Sequence, residues 1–113
     1  MHEVGIAHEI INIINEIMQE HPGQKVSKVK VIIGEMTAVV PESLDFAYQA
    51  LTENTFLHQS KLDIEIIPVS AQCHHCLKNF TISAFEFTCP FCHSQDITVN
   101  NGNELYIKEL EVD

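Results

Sequence analysis

The chain has 113 residues, 45% hydrophobic and 19% charged, which suits one compact unit or a small core carrying an accessory module and argues against wholesale disorder. Sixteen Asp and Glu stand against six Lys and no Arg, a formal charge of −10. That balance excludes the cationic face nucleic-acid binding needs and suits basic partners or metal cations.

Met1-His2-Glu3-Val4 has neither the cationic start nor the apolar stretch of a secretory signal, and no apolar run approaches the ~20 residues that span a bilayer. A cytoplasmic protein without membrane contact is expected. Ile6, Ile10, Ile13, Ile14 and Ile17 recur at three- and four-residue intervals, predicting an amphipathic helix that stops at His21-Pro22-Gly23. From Val26 to Ile33 the period falls to two, a strand with Val29, Val31 and Ile33 inward and Lys28 and Lys30 wet. Pro41-Glu42-Ser43 opens a second helix whose buried stripe is Leu44, Ala47, Tyr48 and Leu51. Leu62, Ile64 and Ile66 alternate with polar residues in a second half-exposed strand that Pro68 ends.

After the turn residues Asn100-Asn101-Gly102, Glu104 to Val112 reads as the last strand. Leu105 and Ile107 differ in parity from Leu110 and Val112, so a bulge near Lys108 or Glu109 is expected, bringing both pairs inward. The order of elements implies an α+β fold, two helices packed on a three-stranded mixed sheet with an inserted four-cysteine zinc ribbon. Residues 1–70 form the first domain, completed by strand 101–113, and 71–100 form the insert.

Cys73-His74-His75-Cys76 and Cys89-Pro90-Phe91-Cys92 are two C-x-x-C pairs, each able to turn two thiolates onto one cation. Four sulfurs close a tetrahedron and leave no position for substrate, so a structural Zn²⁺ is expected to staple an insert too small to fold unaided. A rubredoxin-type iron site is the alternative, but such knuckles favour glycine where Leu77 and His93 stand. A thioredoxin-like redox pair needs a helix after its first cysteine, and no helical period follows Cys89. His74, His75 and His93 flank the site and read as solvated side chains rather than ligands.

Methionine aminopeptidases act when the second residue is small, so His2 should leave Met1 in place with its free amine. The Met1 amine, the His2 backbone nitrogen and the His2 imidazole can close fused rings on one ion, with the Glu3 backbone nitrogen or carboxylate completing a plane. Such nitrogen-rich tetragonal coordination suits Ni²⁺ or Cu²⁺ rather than zinc. Taken alone, His2 is ordinarily a solvated terminal residue and Glu3 an acid favoured at a helix N-terminus.

Met1-His2-Glu3, Ile33-Gly34-Glu35, Pro41-Glu42-Ser43-Leu44 with Phe46, the two cysteine pairs and Gly102-Asn103-Glu104-Leu105 occur in one order across essentially the whole chain. Together they resemble the HypA/HybF family of hydrogenase nickel-incorporation proteins. The resemblance implies a metallochaperone, not an enzyme: a nickel-binding domain with an inserted zinc-ribbon domain. It implies transient Ni²⁺ at His2, with Glu3 as its acidic neighbour, and Zn²⁺ at Cys73, Cys76, Cys89 and Cys92. It further implies delivery to the large-subunit precursor of nickel-iron hydrogenase, in cooperation with the GTPase HypB, by a monomer or weak homodimer. Many members carry serine at the place of Gly5, whose hydroxyl could cap the first helix. A zinc-ribbon interaction scaffold without nickel transfer is the alternative function.

Overall fold

The computed structural model describes residues 2–113; Met1 and the side chain of His2, both named above as nickel candidates, lie outside what it describes. The elements are helix α1 (His2–Met18), strand β1 (Val26–Gly34), a 3-10 turn (Glu35–Thr37), helix α2 (Pro41–Thr52), and strands β2 (Lys61–Ile67), β3 (Ser70–Cys73), β4 (Asn79–Thr81), β5 (Ile97–Asn101) and β6 (Leu105–Val112). They form a mixed sheet in the order β2-β1-β6 and a second sheet in the order β4-β3-β5. Two compact units result. One holds the described residues through Val31 with Val39–Glu65 and Tyr106–Asp113; the other holds Ile32–Ala38 and Ile66–Leu105, wider than the cysteine-bearing 71–100. No helix among the described residues is long and apolar enough to cross a membrane.

In the first unit α1 packs on α2. The apolar residues α1 buries are Ala7, Ile10, Ile14 and Met18, whereas Ile13 and Ile17 are exposed. The isoleucine spacing therefore located the helix but not its inward stripe, because isoleucines occupy more than one of its faces. The helix ends at Met18, before the Pro22 that would have stopped it. Gly5 lies inside α1, so the capping role considered for that position does not arise here.

Helix α2 starts with Pro at its first turn, where a missing N–H costs nothing, and buries Leu44, Ala47, Tyr48 and Thr52. Ser60 donates its hydroxyl to the Leu57 carbonyl at 2.6 Å, so the bond of 2.6 Å between Tyr48 and Ser60 must be donated by the phenol. Strand β1 has one wet side only as far as Lys30; Val31, Ile32, Ile33 and Gly34 are all buried.

Strands β1 and β6 are antiparallel: Asp113 N donates to Lys25 O at 2.8 Å and Gly34 N to Glu104 O at 2.7 Å. These two bonds lie nine residues apart on each strand, an odd spacing, whereas an uninterrupted antiparallel ladder repeats its hydrogen-bonded pairs every second residue, so the pairing between them is irregular. Ile107 and Leu110, one from each of the two expected pairs, are half-buried, while Leu105 and Val112 are exposed.

The second unit is built on β3, antiparallel to both neighbours, with Ala71 opposite Phe80 on one side and Val99 on the other. The register against β5 slips between Ser70 and Ala71. Its core is small: Val69, Ala71, Phe80 and Ile82 around Cys73 and Cys89, with Met36, Ile97 and Val99 packed against them.

Candidate metal centre

The two C-x-x-C segments fold into one repeated geometry. Cys73 N donates to Lys78 O at 3.0 Å and Cys89 N to Ser94 O at 2.8 Å, while Leu77 N donates back to Cys73 O at 3.1 Å and His93 N to Cys89 O at 2.9 Å. The reversal forces the residue after each second cysteine into the left-handed region, Leu77 at φ 66° and His93 at φ 64°. Each such residue costs about 1 kcal/mol or more, which glycine would avoid. A structure that keeps Leu and His there holds its knuckles by stronger forces than local preference.

The four sulfurs converge. All ligand atoms of Cys73, Cys76, Cys89 and Cys92 lie within 4.8 Å of one another, with Cys73 Sγ 3.5 Å from Cys92 Sγ and Cys76 Sγ 3.6 Å from Cys89 Sγ. These separations rule out disulfides, whose sulfurs sit about 2 Å apart. A tetrahedron with metal–sulfur bonds of about 2.3 Å has edges of about 3.8 Å, so the donor set fits one tetrahedral ion.

Backbone amides prepare the thiolates. His75 N and Cys76 N donate to Cys73 Sγ at 3.3 and 3.5 Å, and Phe91 N donates to Cys89 Sγ at 3.4 Å. The Cys76 amide, helped by that of His75 and opposed by burial, lowers the Cys73 thiol to about 6. At Cys89 burial works upward but is outweighed by the amides of Cys92 and Phe91, and the thiol is lowered. Cys92 is pushed up to about 12: the Ser94 amide favours its thiolate, but burial and the other three sulfurs override it. Without a cation the cluster cannot hold four like charges. A divalent ion removes that conflict.

The flanking residues do more than the sequence indicated. His74 is not merely solvated, since its Nε2 meets the Thr98 hydroxyl on β5 and its amide donates to Asp96 O at 2.8 Å. Lys78 places its ammonium 4.6 Å from the centre of the Phe91 ring, tying the first knuckle to the second by a cation–π contact. Neither link could be read from spacing, because each joins residues separated by a turn of unknown path.

The amino-terminal candidates belong to the first unit. Glu3 lies in the first turn of α1 and is nine-tenths buried. Its Oε2 accepts the Val40 N–H at 3.2 Å. Val40 is the N-cap of α2 and, being valine, supplies no capping side chain, so a carboxylate from α1 places an acceptor and a negative charge at the positive end of α2. The position of Glu3 in the chain is compatible with a nickel ligand or an acid at the start of its own helix, and carries no sign of the second helix it caps.

The family described as hydrogenase/urease nickel incorporation, metallochaperone, HypA, matches residues 1–112. The hydrogenase maturation factor HypA of Lawsonia intracellularis is 41% identical over the whole of both chains, and that of Geobacter sp. strain M21 is 36% identical over the same extent. The solution structure of the Ni metallochaperone HypA from Helicobacter pylori has 27% identity and a TM-score of 0.65, covering 98% of this chain and 97% of that one. A helix pair on a mixed sheet, a ribbon holding four convergent cysteines and a family match spanning nearly every residue lead to one conclusion: the chain belongs to the HypA family of hydrogenase and urease nickel-incorporation metallochaperones.

Proposed function

We propose that this chain binds Ni²⁺ at its amino terminus and delivers it to the large-subunit precursor of nickel-iron hydrogenase, in the cytoplasm and together with the GTPase HypB. In this reading Cys73, Cys76, Cys89 and Cys92 hold a structural Zn²⁺, whose closed coordination supplies charge neutralisation and a fixed shape rather than catalysis. The protein performs no bond-breaking chemistry on a substrate. Monomer and weak homodimer are both compatible with it.

The observation that carries the nickel assignment is that α1 begins at His2. The first four N–H groups of a helix have no acceptor within it, so the helical ladder does not compete for the His2 and Glu3 amides. Those amides, with the Met1 amine and the His2 imidazole, offer nickel a nitrogen plane. Glu3, with its carboxylate engaged at α2, acts in this reading through its backbone nitrogen and holds the start of α1 in place. Delivery then proceeds by stepwise ligand exchange, each nitrogen being displaced by a donor of the recipient.

Calorimetric titration of untagged, zinc-loaded protein with Ni²⁺ tests the assignment. One nickel per chain is expected, abolished by His2→Ala and by one residue added before Met1, with zinc content unchanged. Undiminished nickel stoichiometry in both variants overturns the chelate, and absence of nickel binding by the unaltered chain leaves the scaffold function in its place.

A further inference from the structure

Helix α2 presents a stripe that nothing in the first unit covers. Glu42, Asp45, Phe46, Gln49, Ala50 and Glu53, with His58 beyond the helix, line a groove of about 630 Å³; the first six recur at three- and four-residue intervals and form one continuous face about 16 Å long. Phe46, at its centre, is 77% exposed, the most exposed large apolar residue among those described. A second groove of about 490 Å³ runs along the other flank of Phe46, floored by Ala47 and Ala50 and walled by Val4 of α1. Alanine floors allow a second backbone to approach closely.

The charge of the stripe is one-sided. Glu42, Asp45 and Glu53 are acidic, and against them stands a single histidine, His58, with no Lys lining either groove. Glu42 is favoured in the first turn, but Glu53 sits at the C-cap against the negative end of the helix dipole, and no basic residue occupies the last turn. Helix stability alone does not explain an acid at that place. A second copy of the same face would bring acid against acid, whereas a basic surface would neutralise all three carboxylates.

We propose that this face of α2 docks a basic amphipathic helix of a partner protein, with Phe46 entering its apolar stripe and Glu42, Asp45 and Glu53 pairing with Lys or Arg on its flanks. A helix fits because the lining residues already follow the three-four spacing by which two helices interlock. Burying one aromatic anchor within a charged rim is the usual arrangement of a tight contact centre.

The test uses the full chain and a fluorescent synthetic helix with a leucine stripe flanked by lysines, read by anisotropy at near-physiological salt. The Lys-flanked peptide is expected to bind and its Glu-flanked counterpart is not. Phe46→Ala, which leaves the charge intact and removes an exposed side chain, should weaken binding at least tenfold; Asp45→Lys should also weaken it, and Phe56→Ala, removing a half-exposed aromatic elsewhere, should leave it unchanged. Binding within twofold of the unaltered chain in Phe46→Ala overturns the proposal. So do peptide-induced amide shifts confined to residues outside α1 and α2, and so does a dimer in sedimentation that Phe46→Ala dissolves, which would make the occupant a second copy.

Discussion

Gly34 and Gly102 meet backbone to backbone: a Cβ on Gly34 would stand 2.1 Å from the carbonyl carbon and oxygen of Gly102. Around this contact Met36 N donates to Gly102 O at 2.8 Å and Gly102 N to Glu104 Oε1 at 2.8 Å. Gly102 itself adopts φ 123°, with its own added Cβ only 3.0 Å from Val69. The segments Ile33-Gly34-Glu35 and Gly102-Asn103-Glu104 are therefore two halves of one crossing.

Gly34→Ala should consequently destabilise the protein by on the order of 3 kcal/mol or more, because backbone cannot yield as a side chain would. Gly5→Ala, in α1 with nothing within 4 Å of its added Cβ, should stabilise by about 0.5–1 kcal/mol. Urea unfolding of the two variants should move the midpoint in opposite directions.

Removing one sulfur should unfold the ribbon rather than the whole chain. Cys73→Ser and Cys92→Ser are expected to lose bound metal and the dispersed resonances of Val69 and Ile82, while those of Ile14 and Leu44 persist. Protons compete with the ion for the sulfurs, so metal release measured with a colorimetric chelator should rise as pH falls, and only below the value of about 6 to which the Cys76 amide lowers the ion-free Cys73 thiol.

Tyr48 gives an alkaline signature. Burial raises its pKa above the ordinary 10. The native state then holds the phenol proton more tightly than the unfolded chain, so this contribution is complete below about pH 10 and disappears as pH climbs through the native value. Tyr48→Phe should cost about 1 kcal/mol at pH 8 and lose less stability than the unaltered chain between pH 10 and 12.

Glu3 can be divided into its parts. Glu3→Gln keeps an acceptor for the Val40 N–H but removes the charge; Glu3→Ala removes both. Thermal midpoints should fall in the order unaltered, Gln, Ala, with about 1–2 kcal/mol lost in the last. Nickel stoichiometry should survive Glu3→Gln if the backbone nitrogen, and not the carboxylate, serves the ion.

Local chemistry made much of this legible. Pro41, the alternation from Val26 to Lys30 and the paired C-x-x-C segments each act within a few residues, so position and type could be read from the chain. What escaped was decided at a distance. Ile13 and Ile17 are as apolar as Ile10 and Ile14, and tertiary packing, not sequence, selects which pair is covered. The buried Glu3 carboxylate answers to Val40, and His74 to Thr98, across separations that carry no local signal.

Strand β1 lies in the middle of its sheet, yet one of its two neighbours, β6, is translated only after the entire ribbon. A nascent chain thus spends an interval with a bare strand edge, the template on which stray pairing begins. An ion captured by the emerging sulfurs would shorten the loop that must close before β6 can arrive, and with it the interval in which that edge stands bare.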